Sequence, residues 1–230
     1  MTAASAPPGT EALSVADRIA ELARALITDW QRGYLADRPQ AVAALARLRR
    51  GAGREAGELP DLWSLIDLGP LHDPRTGQRP LSEREMERAE NAVHAALTLW
   101  AFHQQSRRDG MHRRHSAERP AGLGAAVRRL MPPDGVDEAV LKRFVRVGTA
   151  PDLVSVTQRL RDVVALLRRD RVPLDYGLLA GQLYAWQWPD GATAVRRAWG
   201  RSFHTAPRHP QRQAGETTTT NTPDTDKDAS

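Results

Sequence analysis

Apolar residues recur every three to four positions through most of this chain, and that spacing is the period of an amphipathic α-helix. The first clear case is the stripe formed by Val15, Ile19, Leu22 and Leu26, which begins just after Ser14. No stretch alternates every two residues with the β-branched and aromatic side chains that are typical of strands. The sequence therefore predicts an all-α fold.

Capping residues and helix breakers set the expected boundaries of the helices. Ser14 and Ser82 each stand three positions before an acidic residue, which is the pattern of a capping box. The helix that begins at Ser82 is expected to extend to about Gln105, and residues 60–69 are expected to form one short helix. Further helices are expected between Pro39 and Gly51 and at about 121–131, 135–147, 151–170, 175–187 and 191–203.

An arginine-rich stretch with several helix-breaking residues, 106–120, divides the helical part of the chain. We expect residues 14–105 and 121–204 to form two small helical bundles joined by this linker, because each half has enough amphipathic helix to enclose a core. Residues 1–13 and 205–230 are small or polar and cannot bury a core, so both tails are expected to be disordered.

The composition excludes several classes of protein. The chain has no cysteine, which excludes a disulfide scaffold, thiolate zinc sites and cysteine nucleophiles. No apolar run approaches the roughly 18 residues of a membrane helix. The N-terminal segment MTAASAPPGTEALS lacks the basic and apolar regions of a signal peptide. These features predict a soluble, cytoplasmic protein.

The sequence does not organise its polar residues into a catalytic or metal-binding site. The glutamates at positions 83–90 lie at the start of a helix, where carboxylates are favoured by the helix dipole. His112 and His115 have a spacing that could hold a metal on a helix, but the arginines around them disfavour a divalent cation. The phosphate-loop and nucleophile-elbow motifs are absent. We therefore predict no catalytic residue, no metal and no cofactor.

The tryptophans are predicted to have structural roles. Trp30, Trp100, Trp186 and Trp199 fall on apolar helix stripes, which is typical of core positions. Trp188, beside a proline, is the candidate for an exposed contact. No aromatic-interleaved motif indicates base stacking.

Positive charge is concentrated in one half of the chain. Residues 101–212 carry 20 basic and 10 acidic side chains, whereas residues 1–100 carry 12 and 14 and residues 213–230 carry 1 and 4. Basic groups that outnumber acids two to one cannot all be paired internally. Nearly all of them are arginine, whose planar guanidinium suits phosphate oxygens. The pattern predicts a surface that binds nucleic-acid backbone without reading its sequence.

Seven segments of the chain form a recognisable series. They are ALARLRRGAGR (44–54), PDLWSLIDL (60–68), HAALTLWAFHQQSRRDGMHR (94–113), GLGAAVRRLMPP (122–133), LKRFVRVGTAPDL (141–153), LDYGLLAGQLYAWQ (174–187) and VRRAWGRSFH (195–204). In their order and spacing they resemble the CasB family, and its actinobacterial branch most closely. CasB is the small subunit of Cascade, the type I-E CRISPR surveillance complex. The resemblance covers about residues 14–204.

This resemblance implies an all-helical protein of two bundles with no catalytic activity. It implies two copies arranged head to tail inside Cascade, which lie against the backbone subunits and span between the large subunit and the end that holds the RNA hairpin. It also implies that basic surface helps to hold the guide RNA, the target DNA and the displaced DNA strand, stabilising the R-loop during antiviral defence.

Ten basic residues are the candidate nucleic-acid-binding residues. Arg49, Arg50, Arg128, Arg129, Lys142 and Arg143 match basic positions of the family, and Arg107, Arg108, Arg113 and Arg114 match its arginine-rich segment between the bundles. Trp199 resembles a structural position of the family.

Other functions stay open at this point. Several short helices separated by glycine turns also fit a helix-turn-helix transcription regulator, which would bind one duplex operator. A helical adaptor whose arginines pair with an acidic protein is a third interpretation, and an enzyme is a fourth.

Overall fold

The computed structural model describes residues 13–51, 54, 59–73, 79–132 and 135–206. Within these ranges the chain forms eight α-helices and no strand, so the all-α prediction is confirmed. The helices are α1 (Val15–Leu35), α2 (Pro39–Arg50), α3 (Glu83–Gln104), α4 (Leu123–Arg128), α5 (Glu138–Gly148), α6 (Leu153–Arg169), α7 (Tyr176–Trp186) and α8 (Gly191–Thr205). None of these helices is long and apolar enough to cross a membrane.

The two predicted capping residues begin their helices as expected. The Ser14 hydroxyl accepts a hydrogen bond of 3.2 Å from the backbone N–H of Asp17 at the start of α1. At the start of α3 the Ser82 hydroxyl accepts from the Glu85 N–H at 3.3 Å, and the Glu85 carboxylate accepts from the Ser82 N–H at 2.9 Å. These bonds satisfy N–H groups that a helix start leaves unpaired.

The expectation of one short helix at residues 60–69 is wrong. Two 3₁₀ helices, Pro60–Leu65 and Gly69–Leu71, occupy this region instead. The side chain of Asp67 accepts a hydrogen bond of 2.8 Å from the Gly69 N–H. This local bond takes the place of a helical backbone bond, so the chain turns between the two segments.

Helix α7 lies at the centre of the fold because it is apolar on all sides, and such a helix is stable only when it is buried. It packs against α1 and α3, which come from the first half of the chain. A Cβ atom added at Gly177 would lie 2.6 Å from the Ala20 carbonyl oxygen, and one at Gly181 would lie 2.7 Å from that of Ala16. Only glycine allows this close approach of α7 to α1.

One cluster of buried apolar side chains contains residues from both halves of the chain. Trp100 is fully buried, and Trp186 and Trp199 are buried and stacked with their ring centroids 5.3 Å apart. Trp30 is half-buried against the same core. The structural roles predicted for these tryptophans are confirmed, whereas the division of the chain into two bundles stays a prediction.

Helices α4, α5, α6 and α8 form a part of the fold with a strong excess of positive charge, because they carry 11 basic and two acidic side chains. Helix α4 packs against α8, and α5 packs against α6. Phe144 of α5 stacks on Phe203 of α8, with ring centroids 5.6 Å apart. This contact brings the end of α8 to the side of α5.

Candidate nucleic-acid interface

The arginine-rich segment 106–120 contains no helix, and buried side chains hold its backbone in place. Gln104, fully buried at the end of α3, donates hydrogen bonds to the carbonyls of Arg107 (3.2 Å) and Asp109 (2.9 Å). Its amide oxygen accepts from the Met111 N–H at 2.8 Å. One glutamine thus satisfies three backbone groups at the start of the segment.

Residues from α1 and α7 hold the middle of the same segment. The Gln31 side chain of α1 accepts from the His112 N–H at 2.8 Å and donates to the His112 carbonyl at 3.1 Å. Asp175, the N-cap of α7, accepts from the His115 N–H at 2.7 Å. The backbone of this segment is therefore fixed by three helices, and its arginines extend from a fixed frame.

Four arginines and two carboxylates line one surface cleft of about 340 Å³. They are Arg113, Arg119, Arg129 and Arg171, with Glu118 and Asp170. The side chains come from the segment 106–120, from the residue that follows α4 and from the turn that follows α6. We call this site the arginine cleft.

Three of the guanidinium groups of the arginine cleft, those of Arg113, Arg119 and Arg129, lie close enough to affect one another. Arg113 and Arg129 are both half-buried. Burial lowers the pKa of Arg113, and the charge of Arg119 lowers it further. Burial also lowers the pKa of Arg129, with an added effect from the charge of Arg113. These groups stay charged at neutral pH, so an anion placed between them would relieve their mutual repulsion.

The two carboxylates of the cleft have other partners. Asp170 accepts two hydrogen bonds from Arg169, at 2.8 and 3.1 Å. Hydrogen bonds from its own backbone N–H and from Ser116 lower the pKa of Glu118. Neither carboxylate forms an ion pair with the four cleft arginines in the described part of the chain.

A second group of cations lies on the outer side of α5. Lys142, Arg143 and Arg146 are exposed there, together with Val145, which is 54% exposed. None of the three cations forms an ion pair with a described residue, and the Arg143 guanidinium donates only to the Ala139 carbonyl of its own helix. We call these four residues the basic α5 face.

The side chains of the adjacent residues Arg128 and Arg129 contact different parts of the surface. The Arg128 guanidinium carbon lies 5.6 Å from the ring centroid of Phe203, which itself stacks on α5. Arg129 lines the arginine cleft and donates to the Pro120 carbonyl. Neighbours on a helix are about 100° apart, which explains why the pair divides in this way.

The structure does not bring the other predicted site residues into the cleft. Arg49 and Arg50 end α2, which packs against α1 and α3. Arg107 is half-buried, and Arg108 and Arg114 are exposed. Arg114 forms an ion pair of 3.0 Å with Glu21 of α1. None of these three arginines lines the cleft.

Sequence reasoning missed three basic residues of these two groups, namely Arg119 and Arg171 in the cleft and Arg146 on α5. All three are single arginines, whereas the predicted site residues are adjacent pairs of basic residues. Arg171 directly precedes the helix-breaking Val172-Pro173 pair and has a positive φ of 55°. A turn residue of this kind is a local signal, but its proximity to Arg113 depends on the tertiary fold.

The two histidines whose spacing could hold a metal have ring nitrogens engaged in other bonds. Nδ1 of His112 accepts from the Tyr176 N–H at 3.2 Å, and Nδ1 of His115 accepts from the Ala121 N–H at 3.0 Å. No group of three or more potential metal ligands occurs among the described residues.

Trp188 is half-buried, and the chain's own side chains cover part of its ring. The guanidinium carbon of Arg88 lies 3.7 Å from the centroid, and Tyr184 meets the ring edge-on at 6.0 Å. A cation–π contact of this kind fixes the ring against α3.

Comparison with known families identifies the chain. The sequence model of the family described as CRISPR-associated protein Cse2 matches residues 44–204. The chain belongs to the Cse2 family. The CasB resemblance found in the seven sequence segments is thereby confirmed.

Two solved structures are similar to this Cse2-family chain. The crystal structure of CasB from Thermobifida fusca is 50% identical, with 84% of this chain and 99% of that chain covered and a TM-score of 0.69. A chain of a CRISPR RNA-guided surveillance complex is 24% identical, with 81% and 96% covered and a TM-score of 0.56, and this likeness shows the fold alone. No curated protein matches the chain. These comparisons give no support to a helix-turn-helix regulator.

Proposed function

We propose that this chain is the non-catalytic small subunit of a type I-E CRISPR Cascade complex and binds the phosphate backbone of nucleic acid without sequence specificity. Membership of the Cse2 family supports the place in the complex. The observation that carries the binding proposal is the arginine cleft, where four guanidinium groups from three segments meet.

The chemistry of the cleft favours phosphate over other partners. A guanidinium offers paired N–H donors that match two phosphate oxygens, and such charge-assisted bonds are among the strongest in proteins. Among the described residues, no aromatic side chain lines the cleft to provide a platform on which a base could stack. Contacts of this kind position a strand without reading its sequence.

The fixed backbone of residues 106–120 strengthens this binding. A flexible arginine-rich loop would lose conformational entropy when it binds a strand, and that loss would weaken affinity. Here Gln31, Gln104 and Asp175 already hold the segment through its backbone. The segment therefore loses its conformational entropy when the chain folds, and not when a strand binds.

Inside Cascade this surface would contact the guide RNA, the target strand or the displaced strand and stabilise the R-loop. Exchange of a DNA duplex for an RNA–DNA heteroduplex is nearly balanced in free energy, so a few phosphate contacts are enough to shift it. The proposed partners are the large subunit, the backbone subunits and a second copy of this chain arranged head to tail.

Fluorescence anisotropy with labelled strands tests the binding proposal. We expect similar affinities for two single strands of unrelated sequence, and binding that weakens as salt rises. Strong preference for one duplex sequence would instead support a transcription regulator. Absence of binding to any nucleic acid would contradict the proposal and favour an acidic protein as the partner.

A pair of double variants assigns the binding to the cleft. Arg119→Gln/Arg171→Gln removes two exposed cleft charges, and Arg32→Gln/Arg47→Gln removes two charges that already pair with Asp29 and Asp61. We expect the cleft variant to bind about tenfold more weakly and the control to stay within about twofold of the unaltered chain. Equal losses in the two variants would contradict the assignment.

Coexpression with the other subunits of the same Cascade and a guide RNA tests the place in the complex. We expect the tagged chain to copurify with the large and backbone subunits. We also expect complex that lacks the chain to form less R-loop on target DNA. A complex that excludes the chain would contradict this part of the proposal.

A further inference from the structure

The end of the sequence contains an acidic segment that lies outside the family match. The match ends at residue 204, and residues 213–230 follow beyond it. The acidic residues there are Glu216, Asp224, Asp226 and Asp228, against the single base Lys227. This segment differs in charge from residues 101–212, where bases outnumber acids two to one.

The basic α5 face has the opposite charge and forms no ion pair with the described residues. Lys142 and Arg146 are one helical turn apart, and like charges at this spacing repel each other. Neither forms an ion pair with a described residue, although Glu138 lies one turn before Lys142. The half-exposed Val145 between them adds an apolar contact point.

The chain leaves the described fold beside helix α5, on the side of the helix opposite to the basic α5 face. Phe203, near the end of α8, stacks on Phe144 of α5, and Ala206 is buried. The ten residues from Ala206 to Glu216 can span up to about 35 Å when extended. Helix α5 has 11 residues and is therefore about 16 Å long. The whole basic α5 face is within reach of the acidic segment.

We propose that the acidic segment 216–228 binds the basic α5 face of its own chain and competes there with nucleic-acid phosphates. The contact itself is argued from charge and position, and only the competition rests on the proposed function. Because the segment is tethered, its effective concentration at α5 is high even if the contact is weak. A contact between exposed charges is also screened by salt, so a strand with many phosphates can displace it.

Chemical cross-linking tests the contact without nucleic acid. A carbodiimide joins a lysine amine to a nearby carboxylate as an amide and takes up the water that is lost. The chain has only two lysines, Lys142 and Lys227, so mass spectrometry can identify each product. We expect a link from Lys142 to a carboxylate of 216–228 at low salt, with a yield that does not depend on protein concentration and falls in 1 M salt.

Two results of this experiment would overturn the proposed contact. One is a link from Lys142 to Glu138 alone, which would show that the acidic segment does not contact the basic α5 face. The other is a link to the segment whose yield rises with protein concentration, which would place the contact between molecules. The variant Lys142→Arg keeps the charge and serves as the control, since it must abolish the link.

Binding measurements with full-length variants test the competition. Glu216→Gln/Asp224→Asn/Asp226→Asn/Asp228→Asn neutralises the segment, and Glu216→Asp/Asp224→Glu/Asp226→Glu/Asp228→Glu keeps its charge. We expect the neutral variant to bind a single strand about threefold or more tightly, and the charge-preserving control to be unchanged. The gain should disappear when Lys142→Gln/Arg146→Gln is added.

Each failure has its own signature. A gain that persists in the Lys142→Gln/Arg146→Gln background would be a long-range charge effect and would overturn competition at α5. Equal affinities of the neutral variant and the unaltered chain would overturn it as well. If no form of the chain binds a strand, the proposed function and the competition both fail, while the cross-link still decides the contact.

Discussion

The carboxylate of Asp175 accepts a hydrogen bond of 2.7 Å from the backbone N–H of His115, a residue that lies 60 positions earlier in the chain. Its other oxygen accepts from the Leu178 N–H at 2.9 Å and caps α7. Arg24 of α1 lies 3.3 Å from the same oxygen that meets His115. One buried side chain thus joins the arginine-rich segment to the central helix and to α1.

Replacement of Asp175 by alanine is expected to loosen the arginine-rich segment. The variant loses an N-cap, which costs about 1 kcal/mol, and leaves the partly buried N–H of His115 without its acceptor, which costs about 1–3 kcal/mol. We expect urea unfolding to show a loss of about 2–4 kcal/mol. Hydrogen exchange should be faster at residues 112–116.

The exposed Asp29 gives the matched control for this experiment. It forms a surface ion pair with Arg32, and Asp29→Ala should cost no more than about 1 kcal/mol. Unchanged exchange at residues 112–116 in Asp175→Ala would contradict the role given to Asp175.

Two glycine-to-alanine variants distinguish a glycine needed for close helix packing from one that only lowers helix propensity. In Gly181→Ala the new Cβ would lie 2.7 Å from the Ala16 carbonyl oxygen, so α7 and α1 must move apart. We expect a loss of about 1–3 kcal/mol in the free energy of unfolding. A Cβ atom added at Gly200 of α8 would meet nothing within 4 Å, and Gly200→Ala should stabilise the chain by up to about 1 kcal/mol. Effects of the same sign in both variants would contradict this packing.

The helix boundaries could be predicted because their signals are local. Ser14 and Ser82 bond to backbone groups only three residues away, so the sequence around each serine is sufficient to place a helix start. The short helix predicted at 60–69 was wrong for a local reason as well. The Asp67 side chain competes for the Gly69 N–H, and composition alone does not show which bond forms.

The arginine cleft could be predicted only in part because it depends on contacts distant in sequence. Arg113 and Arg129 belong to conspicuous arginine pairs, but Arg171 joins them only through the packing of the turn after α6. The half-buried side-chain amide of Gln31 fixes the backbone of His112, 81 residues away. The sequence around a polar helix residue such as Gln31 does not show which backbone group it will bind 81 residues away.

The buried histidine of α3 predicts how stability depends on pH. Burial lowers the pKa of His103 to about 3, with added effects from the charges of Arg107 and Arg168. The unfolded chain therefore binds a proton at this residue near pH 6.5, while the folded chain does not. We expect the free energy of unfolding to fall as the pH drops from about 6.5 towards 3.

Histidine-labelled NMR checks this prediction directly. The His103 ring resonances of the folded chain should show no titration between pH 7.5 and about 5. Nδ1 of His103 lies 2.8 Å from the Tyr176 hydroxyl, so the same spectra also detect any change in this buried hydrogen bond. A His103 ring that titrates near pH 6.5 would contradict the assigned burial effect.

The salt dependence of single-strand binding tests the central claim most directly. The logarithm of the affinity should fall linearly with the logarithm of salt concentration, by about 0.7 for each phosphate neutralised. Arg119→Gln/Arg171→Gln should make that slope shallower by about 0.7–1.4, since it removes one or two phosphate contacts. The control Arg32→Gln/Arg47→Gln should keep the slope of the unaltered chain. An unchanged slope in the cleft variant would contradict phosphate binding at the arginine cleft.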